Sequence, residues 1–409
     1  MEKKNLVPQE EGLARFYIHR NDHQNIPSKS MSVFYNSKMR INRDMTSLAI
    51  EAYNQFIQPD GLNIIDAMAA SGVGAIRILK ECQNIKKIYI NDINPAAVEL
   101  IHKNLEMNSL HDKEVDIKVS RKGANFLFNE LSQKYLLQKE TTFQKPNVIS
   151  LDPFGTPNLY LDAAVKLIHN QDALLCVTAT DTAVLFGVRS KACVRKYMAK
   201  PLHNDFCKEI GARILFYFIS RVANFNGIGI EPLLTFYYGH FVRIFGLTYK
   251  NKNTIAKNSD LFGYIIHCKD CEYRIFTNQN IFNIPKNCPN CQKVDSLDYA
   301  GPLWMGKLHN FQFVKLIQKI NQSADFTQQQ KLNKILKIIS EETGMPISYY
   351  DIHKLCKKLN VSHVPKMDDL LTYIKKQGFK ASRTHFEYTA IKTDMEISQL
   401  KEILLEMED

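Results

Sequence analysis

The chain has 409 residues, 45% apolar and 23% charged, which is the make-up of a folded protein with one large core or two to three smaller ones. Its longest apolar run, residues 214–219, is far short of the roughly 20 residues a helix needs to span a bilayer, so no membrane-spanning helix is expected. The net charge of +11 (pI near 9.0) favours a polyanionic partner, although a basic enzyme acting on something else would also carry it.

Met1 to Asn5 lack the apolar stretch of a secretory leader, and Glu10-Glu11 speaks against a transit peptide. Cys82, Cys176, Cys193, Cys207 and Cys356 are scattered in apolar or helical contexts, as buried free thiols are. An intracellular location is expected: nucleus or mitochondrion in a eukaryote, cytoplasm otherwise.

Residues 62–66 (Leu-Asn-Ile-Ile-Asp) predict a buried strand. Ala69-Ala-Ser-Gly72-Val-Gly74 follows, then a helix over 75–81. A second strand over 87–92 ends on Asp92, and Pro95 opens a helix to about 108. Three more short apolar runs lie at 115–119, 147–152 and 173–178. Strands alternating with helices predict an α/β fold with a mostly parallel, doubly covered sheet, whose ligands sit at the strands' carboxyl ends. Asp66, Gly72 and Gly74 fall at that edge. The glycines allow a turn against which a ligand can lie, and Asp92 is placed to bond ribose hydroxyls. The loop alone fits a nicotinamide site or a plain turn, but it lacks the full G-x-G-x-x-G pattern.

The run 149–157 is more specific. It is a short strand ending in Asp152-Pro153-Phe154-Gly155. An exocyclic amine on a nucleobase is a poor nucleophile because its lone pair is delocalised into the ring. A carboxylate at a strand end can accept its N–H bonds, and a neighbouring aromatic can stack on the base. Glycine loop, ribose acid and Asp-Pro-Phe in that order fit S-adenosylmethionine better than a nicotinamide. The bland alternative for Asp152 is a strand-end acid that caps the next turn.

In the second half, Cys268-x-x-Cys271 and Cys288-x-x-Cys291 are two knuckles with the spacing of a closed, structural Zn²⁺ site. His267 beside them reads as a surface residue. The polar run 251–259 is the best linker candidate. It divides a first domain, 1–250, from a second, 251–409, which contains the knuckles (262–296) and a winged-helix-like tail (340–395). In that second domain, helices are predicted over 311–322, 328–341, 350–359 and 367–377, with strands over 378–386 and 388–392. Lys354, Lys357, Lys358, Lys375, Lys376, Lys380 and Arg383 supply phosphate-pairing charge, or simply a solvated face.

The chain resembles the tRNA (guanine-N2) dimethyltransferases, which modify the guanine between the D and anticodon stems. The resemblance rests on Val33-Phe34-Tyr35-Asn36 with Asn42-Arg43-Asp44, Asp66-Ala67 through Ile76-Arg77, Asn91-Asp92, Leu151 to Gly155, Val177 to Asp181, Cys193 to Tyr197, Gly301 to Trp304, Arg383 to Phe386 and Ile391 to Thr393. It implies a class I, Rossmann-like methyltransferase domain followed by an α+β C-terminal domain. It also implies S-adenosylmethionine as donor and tRNA as substrate; a monomer is expected.

By the same resemblance, Asp152 is the catalytic carboxylate and Phe34 and Phe154 clamp the guanine. Arg43, Arg77 and Asp92, together with Asp66 and Gly72, hold the cofactor. Two positions depart from the pattern. Lys122-Gly123-Ala124-Asn125 replaces an acid near the adenine, leaving a backbone contact at Ala124. Lys38 stands where some relatives have Arg and keeps a non-bidentate contact. Arg43 could instead pair with Asp44. Asp181 reads equally as a second active-site acid or as a helix N-cap. Trp304 reads as packing between domains rather than as a base platform. The remaining rivals are a DNA or rRNA amino-methyltransferase and a catalytically dead binding protein.

Overall fold

Five parallel strands and one antiparallel hairpin make the central sheet. The computed structural model describes residues 6–20, 31–110, 114–137, 145–168, 172–249, 251–278, 284–324 and 328–407. A hairpin of β1 (Leu6–Glu11) and β2 (Ala14–His19) comes first, turning at Gly12. The main sheet contains β3 (Leu62–Asp66), β4 (Ile85–Asn91), β5 (Asp116–Ser120), β6 (Val148–Leu151), β7 (Leu174–Ala179), β8 (Gly229–Tyr238) and β9 (Phe241–Tyr249). Its order is β5-β4-β3-β6-β7-β9-β8, with β9 antiparallel to both neighbours. β3, β6 and β7 are buried at every residue, which is why they read as unbroken rather than alternating sequence. Chain order reverses between β3 and β6, so the crevice for a ligand opens at their carboxyl ends.

Two large apolar clusters form the core. One packs the Cys207–Phe225 helix with the Asn158–Leu167 helix. The other joins the Arg40–Ile57 helix to the Val73–Glu81 helix. Neither stops at residue 250. Ala300, Leu303, Trp304, Tyr349 and Phe386 belong to the first cluster, and Phe313, Val314, Leu332 and Leu336 to the second.

The polar run proposed as a linker folds instead as a helix, Lys252–Asp260, capped by the Asn251 side chain, which accepts from Asn253 N. Within it, buried Asn258 accepts the Ile230 N–H at 2.9 Å, so its amide serves a strand end rather than solvent. Trp304 is buried edge-on against Phe216 at 4.8 Å, in keeping with a packing role.

The knuckles sit on a three-stranded sheet with β10 (Phe262–Cys268) between β11 (Arg274–Thr277) and β12 (Leu297–Trp304). The tail has its own cluster around the Ile352–Leu359, Met367–Lys376 and Ile397–Glu406 helices. These pack on β13 (Tyr350–Asp351), β14 (Ala381–Arg383) and β15 (Ala390–Thr393), in the order β13-β15-β14, a winged-helix-like arrangement.

The predicted 350–359 helix therefore begins two residues late, because the Asp351 side chain accepts from Lys354 N as its N-cap. Among the described residues no helix is long and apolar enough to cross a membrane.

Candidate active site

The crevice at the switch point is a cavity of about 860 Å³, within the roughly 300–1,000 Å³ of cofactor pockets. Asp66, Arg43, Asp92, Ala124, Asp152, Phe34 and Phe154 all line it. At its floor the glycine loop turns through Gly72, whose φ of 77° favours glycine, and an added Cβ would press on the Ile101 side chain at 3.0 Å. Gly72 itself does not line the cavity; it shapes the loop whose neighbours Ser71 and Val73 do.

Asp92 is oriented by two backbone amides, Ala70 N to Oδ2 at 2.8 Å and Asn94 N to Oδ1 at 2.9 Å. Asn91 Nδ2 donates to Ala67 O and Lys122 O, tying the β3 and β5 loops together across the pocket. Gly123 stands just before the Ala124-Asn125 pair, where the resemblance expected an acid, and lines the cavity with Lys122, whose ammonium pairs with Glu130.

Asp152 follows β6 directly. The amide of buried Asn42, on the Arg40–Ile57 helix, donates to its Oδ2 at 3.1 Å and also reaches the Thr178 Oγ1 at the end of β7 at 3.4 Å, so one amide holds both side chains together. Phe154 is held by its successor: Gly155 N donates to Thr180 Oγ1 at 2.7 Å, and Thr180 N to Gly155 O. The Phe34 and Phe154 rings meet edge to face, 4.6 Å between centroids, so a base can enter between them only if they part.

Desolvation raises the Asp152 carboxyl above the usual range, opposed by the nearby Arg243 guanidinium. Burial, and then the charge of Asp152, push Asp66 up to about 7.

Two predicted cofactor ligands lie elsewhere. Lys38 is exposed on the Ser37–Met39 turn and does not line the cavity. Arg77 is fully buried behind the loop, its guanidinium surrounded by Glu11, Asp44 and Glu81. Three carboxylates outcompete any ligand for it. Arg43 pairs with Glu11, not Asp44, through two bonds of 2.6 and 2.7 Å. Burial acts to raise Glu11, but the guanidiniums of Arg43 and Arg77 overcome this and hold it at about 2.

The N-terminal hairpin is thus tied to the pocket by charge. Replacing Arg77 with Met should cost about 3–5 kcal/mol by denaturant unfolding, because three buried acids lose their shared partner. A cost under about 1 kcal/mol would show that solvent already screens the network.

Asp181 does not line the cavity; it stands at the N-cap position of the Thr182–Leu185 helix, as one of its two readings had it, though its carboxylate makes no capping bond and is taken by Lys196 at 3.0 Å and Tyr197 OH at 2.7 Å. His267 is buried, not at the surface, and meets Glu272 at 2.9 Å. Asn42 and Thr178 fall within segments that carry the family resemblance but had no role assigned to them, whereas Arg243 lies in none, its only trace being a lone arginine inside the apolar strand Phe241-Val242-Arg243-Ile244-Phe245.

The Sγ atoms of Cys268, Cys271, Cys288 and Cys291 all lie within 4.8 Å of one another, with Cys268–Cys291 at 3.8 Å and Cys271–Cys288 at 3.6 Å. Four thiolates bound about 2.3 Å from one tetrahedral ion stand about 3.8 Å apart, so the set fits zinc.

The strand order, the glycine loop, an acid after β4 and a cavity at the switch point define a class I methyltransferase. The sequence profile of the family "TRM: N2,N2-dimethylguanosine tRNA methyltransferase" matches residues 14–405, and the chain belongs to that family. It is 33% identical over 400 residues to the tRNA (guanine(26)-N(2))-dimethyltransferase of Methanosphaera stadtmanae, covering 98% of this chain and 97% of that one. To the tRNA (guanine(26)-N(2)/guanine(27)-N(2))-dimethyltransferase of Aquifex aeolicus it is 30% identical over 404 residues, covering 98% and 95%. The solved complex of Trm1 from Pyrococcus horikoshii with S-adenosyl-L-methionine superposes with a TM-score of 0.80 at 29% identity, covering 97% of this chain and 99% of that one.

Proposed function

We propose that the protein transfers two methyl groups from S-adenosylmethionine to the exocyclic N2 of a guanine in tRNA, position 26 in the relatives' names. The observation that carries this reading is Asp152, held by the Asn42 amide beside the Phe34–Phe154 pair, on the wall of the cavity that Asp92 also lines.

When bound, S-adenosylmethionine supplies an electrophilic methyl on a sulfonium. The protein's part is orientation. Asp92, already aimed by two amides, is set to bond ribose hydroxyls. Ala124 offers backbone beside the adenine, and Arg43 lies against the same cavity. Phe34 and Phe154 separate to sandwich a guanine swung out of the RNA. Asp152 accepts an N2–H bond, which aligns the nitrogen lone pair with the methyl, and takes the proton that becomes acidic as the N–C bond forms. The second transfer repeats these steps on the monomethyl guanine.

The four cysteines hold a structural zinc, filling all four positions and leaving none for catalysis. Lys357, Lys375, Lys376 and Lys380 are exposed on the tail and are free to meet RNA phosphate. Lys354, Lys358 and Arg383 are partnered by Asp205, Glu272 and Asp368, a solvated-face role. The protein acts as a monomer, inside the cell where tRNA is found.

Cofactor affinity should depend on pH through Asp66. Its carboxyl titrates near 7, and a cationic cofactor favours the ionised form. Below that pH, binding releases a proton, so affinity should rise by up to about tenfold per pH unit and flatten above about 7. Calorimetry in buffers of different ionisation enthalpy checks this; proton uptake, or affinity independent of pH, would contradict it.

The reading as a whole is tested with labelled donor and separate pools of tRNA, rRNA and DNA. Label in tRNA is expected. Label in rRNA or DNA alone would assign a different nucleic acid, and tight RNA binding without cofactor affinity would assign a binding module.

A further inference from the structure

Arg243 is buried on the wall of the cavity behind Thr178. It is 1% exposed on β9, paired in register with Thr178 of β7. Nη1 donates to Thr178 Oγ1 at 2.6 Å and Leu151 O at 3.3 Å, and Nη2 to Thr46 Oγ1 and Ser150 Oγ, both at 3.1 Å. All four acceptors are neutral, and Arg243 makes no ion pair with any described residue. A buried guanidinium without a carboxylate partner is costly, so its charge must be balanced at longer range. The acids placed to do so are Asp66 and Asp152, both on the wall of the cavity that Arg243 also reaches.

Thr178 connects Arg243 with Asp152. Its hydroxyl has one proton. The oxygen accepts from Arg243 at 2.6 Å and, at 3.4 Å, from the same Asn42 amide that holds Asp152 Oδ2, so the proton is left over for an acceptor on the Asp152 side.

We propose that Arg243 is a positioning residue for methyl transfer: it fixes the Thr178 hydroxyl as a donor to Asp152 and supplies the buried positive charge that keeps two neighbouring acids together at the strand ends. It touches neither substrate nor donor in this role. The proposal deepens the methyltransferase reading and rests on it. The charged and titratable groups facing Asp152 are Arg43 from the Arg40–Ile57 helix, Asp66 from β3, His240 from the β8–β9 turn and Arg243 from β9.

The test is the single-turnover rate of methyl transfer to tRNA at saturating cofactor, from about pH 5 to about pH 8.5, for wild type, Arg243→Met, Arg243→Lys and Thr178→Val. Activity needs the Asp152 carboxylate, so the rate rises with pH. Without the guanidinium, the acid limb should move up by about one pH unit or more, so that at a pH on the wild-type limb the rate falls about tenfold. Arg243→Lys keeps the charge, so its limb should stay near wild type while its plateau falls. Thr178→Val should slow transfer at every pH and move the limb the same way by less.

A folded Arg243→Met protein with the wild-type limb, or Arg243→Lys shifted as far as Arg243→Met, would overturn the proposal. If Arg243→Met does not fold, Thr178→Val at wild-type rate and limb overturns it, and a shifted Thr178→Val beside an unshifted Arg243→Lys supports it. A wild-type enzyme that methylates no tRNA sinks the functional reading and this role together. An active wild type with unmoved variants sinks this role alone.

Discussion

Asp152→Asn should lower the rate of methyl transfer by about 10²–10⁴-fold while leaving cofactor affinity nearly unchanged. The amide is isosteric with the carboxylate, but it cannot take the amine proton and it presents an N–H₂ where the guanine N2 needs an acceptor. The mutation also removes the charge that, after burial, raises Asp66. Asp66, freed of that charge, should titrate closer to an ordinary carboxyl. The variant thus makes two separate predictions. The chemical step collapses in single-turnover assays, and the pH dependence of cofactor binding moves to lower pH in calorimetry. Near-normal turnover would remove Asp152 from the reaction. Unaltered pH dependence of binding would show that the two acids do not sense each other.

Metal removal should have the second large effect. Zinc-finger peptides draw on the order of 10 kcal/mol or more from their ion, and four clustered thiols without it repel or oxidise. Here the knuckles lie where two parts of the second half meet. Tyr273 packs against both the cysteine set and the tail cluster, Lys401 Nζ donates to Cys271 O at 3.0 Å, and Lys358 pairs with Glu272. None of the four cysteines lines the cofactor cavity.

Elemental analysis should therefore find about one zinc per chain. Chelation or Cys288→Ser should release hydrogen-exchange protection around residues 262–304 and weaken tRNA binding by at least about tenfold, with cofactor affinity intact. A metal-free protein with wild-type exchange and melting would refute the zinc assignment.

Much of this was legible in the residues because it is local. β3 spans the predicted 62–66, and the Pro95–Met107 helix starts at the proline that opens it, with Asn94 capping Ala96. The cysteine set follows from spacing alone. What could not be read is what only the fold decides. Arg43 and Arg77 look alike as basic residues near a glycine loop, but one lines the cavity and the other is buried among three acids contributed by β1 and two helices. The Cys207–Phe225 helix is buried on nearly every side, so its pattern has no amphipathic period to mark it. Arg243 carries its meaning through Thr178, 65 residues away in sequence and opposite it in the sheet.

The most direct measurement of the central claim is nucleoside mass spectrometry on an unmodified tRNA transcript incubated with the enzyme and S-adenosylmethionine. N2-monomethylguanosine should appear first and N2,N2-dimethylguanosine after it, and both should vanish when the guanine at position 26 is replaced by adenine. Methylation on a ring nitrogen, on adenine N6, or on no nucleoside at all would contradict the account.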